Sequence, residues 1–318
     1  MSEIITFYDL QRKNLRKTIF LIIFFLVIAG VIGFLVDSYF LGFPQKSSFP
    51  FATFIALLIS GTQSLVSYFN GDKIVLFSVG ARPANPEIFE EKQLINIVEE
   101  MKIASGLPMP KVYIIETDVP NAFATGRDPE HSSVAVTRGL MKILNREELQ
   151  GVIGHEMAHI RNRDILTMTV AATLLGIIVL LSDLALRGLW WGGGRRRRDR
   201  GKGSGNAIVL ILLLVLAILA PIIARLIFLA ISRSREYLAD ASSAELTRNP
   251  VALAKALEKL ALNQKGKPIG NKAVSHMCVV SPLRSSLMEK ENFWANLWST
   301  HPPIQKRIFY LKRMAHAA

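Results

Sequence analysis

Two histidines four residues apart, with a glutamate beside the first, stand at His155-Glu156-Met157-Ala158-His159. On a helix that spacing puts both imidazoles on one face, a turn apart and close enough to grip one ion. Glu156 then reaches a water held there rather than the ion itself. Zinc lowers the pKa of such a water, and the glutamate takes its proton as the water attacks a peptide carbonyl. Catalytic zinc takes three protein ligands and keeps one position open, so a third ligand is needed. Ser232-Arg-Ser-Arg-Glu236-Tyr-Leu-Ala-Asp240 offers one. Glu236 and Asp240 share a helix face at i,i+4, so Glu236 can ligate while Asp240 accepts a hydrogen bond from the far nitrogen of a ligand histidine. In isolation the same pair would serve as well to balance Arg233 and Arg235.

The elements that must position these groups are legible around them. Asn145 followed by Arg146-Glu147-Glu148 reads as an N-cap with an acidic partner three residues on, opening a helix that runs through His155 to about Arg163. This helix is predicted without reference to the motif, which is the context the motif requires. Upstream, Glu87 to Ser105 has helical spacing of Leu94, Ile95, Val98 and Met101, and Gly106 closes it. Lys111 to Ile115, Asn121 to Thr125 and Ser132 to Thr137 read as short strands, the last two joined by the turn-rich Gly126-Arg-Asp-Pro129. Downstream, Ser232 to Leu246 and Pro250 to Leu262 look helical.

Half of the 318 residues are apolar, and many are gathered into four long blocks. Thr18 to Val36 and Phe51 to Phe69 carry no charge; Ile165 to Leu186 carries only Asp183, and Ala207 to Ile231 contains Arg225. Each block is long enough to cross a bilayer. The first is too long for a signal-peptide core and reads as a retained anchor. Arg12, Lys13, Arg16 and Lys17 before it keep the N-terminus cytoplasmic. The expected organisation is a two-span anchor over 1–69, a first peptidase segment over 70–164, a membrane hairpin over 165–231 and a second peptidase segment over 232–318. The fold class is α+β, mainly α: a polytopic membrane protein with about four transmembrane helices and a zincin-type peptidase domain. Between His159 and Glu236 lie two apolar blocks, an even number, so both motifs emerge on one membrane face, each against the end of a span. That convergence favours Glu236 as a ligand over an exposed acidic pair.

The hairpin loop carries seven cations, Arg187, Arg195 to Arg198, Arg200 and Lys202. Crossing puts them outside, against the positive-inside tendency, but the apolar blocks outweigh that preference. The net charge of +13 is accounted for by basic residues flanking spans and by attraction to anionic lipid. No nucleic-acid motif or aromatic-interleaved basic groove accompanies it, so no nucleic-acid partner is expected. The single cysteine, Cys278, rules out an internal disulfide framework and is given no chemical role. His131, His276 and His316 match no motif.

Taken together, these motifs resemble the HtpX family of membrane zinc metallopeptidases, relatives of the CAAX prenyl proteases. The resemblance rests on two N-terminal spans, Asn121-Ala-Phe-Ala124, His155 through Asp164, the hairpin, Ser232 to Asp240 and Thr300-His-Pro-Pro303. It implies that His155, His159 and Glu236 bind Zn2+ and that Glu156 is the general base. It further implies that Asn121, Ala122 and Phe123 form an edge strand on which an extended substrate is laid, by strand addition. His301 matches a histidine that binds the substrate or polarises the scissile carbonyl. The implied role is cleavage of membrane or misfolded polypeptides in quality control, from the plasma (inner) membrane with the site on the cytoplasmic face. A CAAX-type processing protease and a non-catalytic membrane scaffold are the alternatives; the first has more spans, and the second would not need all four key residues.

Overall fold

The computed structural model describes residues 7–41, 43–44, 49–192, 204–263 and 302–317. Contacts divide the chain into two units, Lys17–Ser67 with Val170–Phe228 in one, and Met1–Arg16, Tyr68–Thr169 and Leu229–Ala318 in the other. The structure is mostly helical with one small sheet. Among the described residues, two helical stretches are long and apolar enough to cross a membrane, Thr18–Phe40 and Phe51–Ser78; the apolar stretch Ile208–Ile223 is shorter.

In the first unit, helix α1 (Phe7–Val36) buries Leu21, Phe25, Ala29 and Ile32 while Phe20, Ile23, Val27 and Val31 lie exposed on its other side. A helix apolar all round suits lipid rather than water. Helix α2 (Phe51–Ser78) returns from it, running on past the expected end at Phe69. The buried carboxylate of Asp37 closes the turn: it accepts from the N–H groups of Ala52 and Thr53, each at 2.8 Å, and from the Thr53 hydroxyl at 2.7 Å. These are orphan donors of the first turn of α2, which hydrocarbon could not satisfy. Gly33 permits the close approach, because a Cβ there would lie 2.6 Å from the Thr53 Cα.

Helices α6 (Asp164–Gly192) and α7 (Ser204–Thr247) carry the third and fourth apolar blocks. The sequence suggests a boundary between segments at 231/232, with Ser232 to Leu246 helical. Instead α7 runs unbroken from the apolar block through Asp240, since no glycine or proline interrupts Ile231-Ser-Arg-Ser-Arg235.

The second unit contains the sheet. Strands β1 (Arg82–Pro83), β2 (Lys111–Ile115), β3 (Ala122–Gly126) and β4 (Ser132–Thr137) lie in the order β1-β2-β4-β3. Strands β2 and β4 are parallel, and the outer pairs are antiparallel. The two-residue β1 is too short for alternation to reveal and was not expected. Helix α3 (Phe89–Ser105) ends at Gly106, whose φ of 68° provides the left-handed cap. The short α4 (Arg138–Ile143) leads into α5 (Arg146–Arg161), opened by a full capping box: Asn145 Oδ1 accepts from the Glu148 N–H, and Glu148 Oε2 from the Asn145 N–H, both at 2.9 Å.

Helix α5 is the centre of this unit. Val152, Ile153, Met157 and Ile160 pack with Leu94, Ile97 and Val98 of α3, with Leu253 and Leu257 of α8 (Pro250–Asn263), and with Ile308 and Leu311 of α9 (Ile304–Ala317). Gly151 allows the approach of α8: a Cβ on it would lie 2.9 Å from the Leu253 nitrogen. Burying most of its surface makes α5 a rigid base for its polar groups. At the sheet's far side, the fully buried Glu91 pairs with Arg82 at 2.6 Å and with Arg138, and both arginines also hold Glu116. The hydrogen bonds from Arg82 hold the Glu91 carboxyl down at about 2.

Candidate metal centre

Helix α5 brings His155 and His159 onto one face, with their Nε2 atoms 3.2 Å apart. From α7, Glu236 offers Oε2 at 3.6 Å from His155 Nε2 and Oε1 at 3.7 Å from His159 Nε2. One ligand atom from each of the three lies within 4.8 Å of the others. Atoms bound about 2.0–2.1 Å from a single tetrahedral ion stand roughly 3.3–3.4 Å apart, so this spacing fits a small divalent cation.

The far nitrogen of each imidazole faces a carboxylate. His155 Nδ1 lies 3.0 Å from Asp240 Oδ1, and His159 Nδ1 lies 3.1 Å from both oxygens of Asp164. If each Nδ1 carries the proton, the two Nε2 lone pairs are directed into the same space. Neutral imidazoles would repel one another there; a cation between them, or one proton shared by the two nitrogens, removes the repulsion.

The burial of charge leads to the same place. The cluster contains four buried carboxylates, Glu156, Asp164, Glu236 and Asp240, and two buried guanidiniums, Arg235 and Arg307. With neutral imidazoles, two negative charges remain in an interior where unbalanced charge is costly. Without a metal, protons fill the deficit. Burial pulls the His159 pKa down, but Asp164 and Glu236 outweigh it and push it up to about 10. For His155, burial is likewise outweighed by Asp240 and Glu236, leaving it raised. One divalent cation would balance the cluster equally well.

Glu156 is buried beside the two histidines, and burial raises its pKa above the usual carboxylate range, against the pull of His159, of His155 and of a hydrogen bond from the Ala124 N–H. That donor comes from β3, at the end of the sheet. The Asn121 carbonyl accepts from Thr137 N–H at 3.0 Å, so Asn121, Phe123 and Thr125 turn their backbone groups toward β4. Ala122 and Ala124 turn theirs outward. The Ala122 N–H donates to Asn121 Oδ1 at 2.9 Å. Both outward donors are therefore engaged within the chain, while the carbonyls at the same positions also point away from β4, on the side from which an N–H could approach. Asn121, Ala122 and Phe123 are themselves fully buried.

Two members of the cluster were not singled out from the sequence. Asp164 follows His159 by five positions, but helix α5 stops at Asn162 and Arg163 takes a left-handed φ of 54°, turning the first residue of α6 back toward His159. Its place at the end of the His155–Asp164 stretch was the only available signal. Arg307, from α9, donates through Nε to Asp240 Oδ2 at 2.8 Å and through Nη2 to Asp240 Oδ1 at 2.7 Å. Its Nη1 lies 3.0 Å from Glu236 Oε2. A lone arginine on a basic helix gives no sign of burial. His301, Cys278 and the Arg195 to Arg198 run lie outside the described residues. His131 pairs with Asp128, away from this cluster.

The model of Peptidase family M48 matches residues 89–315. A Protease HtpX homolog of Thermoanaerobacter pseudethanolicus is 47% identical over 97% of this chain and 98% of its own length. The Protease HtpX homolog of Streptococcus uberis is 42% identical over 96% of this chain and 99% of its own. Among solved structures, S. mikatae Ste24p has a similar fold, with a TM-score of 0.51 at 19% identity over 95% of this chain. The chain spans 66% of Ste24p.

Proposed function

This chain belongs to peptidase family M48, and from that premise we propose that it is a multi-pass membrane endopeptidase whose zinc is held by His155, His159 and Glu236. That it is a membrane metallopeptidase follows from the family and from relatives matched over nearly their whole length. The observation that carries the finer assignment is the pair of Nε2 atoms facing one another at 3.2 Å with Glu236 beside them. The substrates are polypeptides, and quality control of membrane or misfolded proteins is the role proposed.

Zinc, when bound, supplies Lewis acidity, acidifying a water and polarising a carbonyl. Glu156 takes a proton from the attacking water and delivers it to the leaving amine nitrogen. Its burial raises its pKa, which makes the carboxylate a stronger base toward the water. The Ala124 N–H orients that carboxylate. Asp240 and Asp164 keep the Nδ1 protons of His155 and His159 in place, presenting each Nε2 as a ligand. The outward carbonyls of Ala122 and Ala124 accept N–H groups of an extended peptide, with Asn121 and Phe123 fixing the strand behind them. His301, following the family pattern, binds the substrate or polarises its carbonyl. The hairpin of α6 and α7 makes four spans with α1 and α2, with the site on the cytoplasmic face.

The purified full-length chain is expected to hold one zinc. Glu156→Gln should keep that zinc while casein hydrolysis falls by about 10²–10⁴-fold, since an amide preserves shape but takes no proton. Cleavage at the wild-type rate by that variant would remove Glu156 from the role of base.

A further inference from the structure

We propose that the bilayer sets where this peptidase cuts: a membrane-anchored polypeptide is cleaved about three to five extended residues beyond the end of its apolar span. The inference rests on the metal centre and on the strand addition proposed above. Three apolar runs end beside the centre, at Phe69, Ile165 and Ile231, all in the unit that contains it. Helix α2 gives the first height. Phe123 of β3 packs with Val75 and Leu76, six and seven residues past Phe69 and so about 9–10 Å further along the helix. Strand β3 runs back along that helix, because Arg127, next after the strand, places its guanidinium 5.5 Å from the centre of the Phe69 ring. Ala124, whose N–H meets Glu156, lies three residues before Arg127, again about 10 Å in an extended strand. Helix α7 gives an independent height. It is unbroken, and Glu236 stands five residues past Ile231, about 8 Å along the axis. The third run begins at Ile165, immediately after the carboxylate that faces His159 Nδ1 at 3.1 Å.

These lengths agree on one value: the bond to be cut sits about 8–10 Å beyond the level at which the apolar runs end. An extended chain covers that height in about three residues, and a shorter tether does not reach. Longer tethers reach, but the effective concentration of the segment falls with about the −3/2 power of tether length. A bond about sixteen residues from the span is therefore presented about eight-fold less than one about four residues away. The backbone carbonyls of Ala122 and Ala124 hold the substrate in this scheme, so selection by distance from lipid makes no demand on side-chain type.

The test reconstitutes the full-length chain in vesicles with a single-span substrate. The span is followed by a long linker of one repeated short sequence, so that every register offers the same side chains, and mass spectrometry maps the cut positions. Only cuts absent with Glu156→Gln are counted. They should begin about three residues beyond the span, peak at about three to five and be about eight-fold rarer near sixteen. Adding one turn of leucines to the end of the span should move the whole distribution outward by the same number of residues. The same linker without its span should be cut with no preferred position. Cuts spread evenly along the anchored linker, or cuts that stay at the same residues when the span is lengthened, would overturn the proposal while leaving the peptidase reading intact. If neither the free linker nor casein is cut, the peptidase reading fails and this inference fails with it.

Discussion

The Nε2 atoms of His155 and His159 face each other across 3.2 Å, while the Nδ1 atoms behind them face Asp240 and Asp164. Two imidazoles so placed are balanced by two protons or by one divalent cation, and this exchange can be measured. Zinc uptake should release protons. Because the folded-state pKa of both histidines is raised, that of His159 to about 10, protons compete throughout the neutral range. Apparent zinc affinity should therefore rise with pH up to the raised histidine pKa values. Titration calorimetry in two buffers of different ionisation enthalpy would count the protons; a heat independent of buffer would contradict the exchange.

The carboxylates behind the ligands predict graded effects on metal affinity. Asp240→Asn and Asp164→Asn should each weaken zinc binding by about 10–100-fold, as residues that orient a ligand do. Glu236→Gln should weaken it more, because a ligand is lost. Metal analysis after dialysis against a graded chelator would rank them. Should Asp240→Asn lose metal while Glu236→Gln retains it, the two roles are reversed.

Remote from this centre, Glu91 predicts an acid-sensitive brace. Arg82 holds its folded-state pKa at about 2, below the ordinary 4.5. A depressed carboxyl contributes stability that is present above its unfolded pKa and is lost as pH falls from about 4.5 toward 2. Glu91→Gln should lower stability near neutrality by about 2 kcal/mol, a typical loss for a hydrogen bond to a charged group. Thermal unfolding of the full chain at several pH values would test it. The gap between wild type and variant should narrow below about pH 4, and a constant gap would mean that charge plays no part.

The proposed hairpin topology can be tested by labelling. A cysteine at Ser204, in a chain lacking Cys278, should react with an impermeant thiol reagent added outside intact cells. Apolar burial by α6 and α7 is expected to outweigh the charge of the seven-cation loop. Labelling only after permeabilisation would show that the hairpin does not cross, while leaving the metal centre intact.

Local periodicity was enough to make much of this centre legible. Four residues on a helix bring His155 and His159 to one face whatever the rest of the chain does, and Asn145 with Glu148 marks where that helix begins. The same spacing pairs Glu236 with Asp240, and counting apolar blocks suggested that this pair meets the histidines. The Asp240 contact with a far imidazole nitrogen was expected as a class; that the histidine is His155 came from the structure. Tertiary structure alone decided the rest. Asp164 meets His159 because the chain reverses at Arg163, a left-handed residue for which side-chain type gives little warning. Ala124 contributes a backbone N–H, a group every residue but proline carries, so only the register of β3 on β4 reveals that it points outward. Arg307 comes from a helix far along the chain, and nothing local distinguishes it from its solvent-facing basic neighbours. Helical spacing acts over one or two turns, whereas balancing buried charge joins whichever segments packing brings together. For that physical reason the two imidazoles could be read from one stretch of sequence, and the charges that balance them could not.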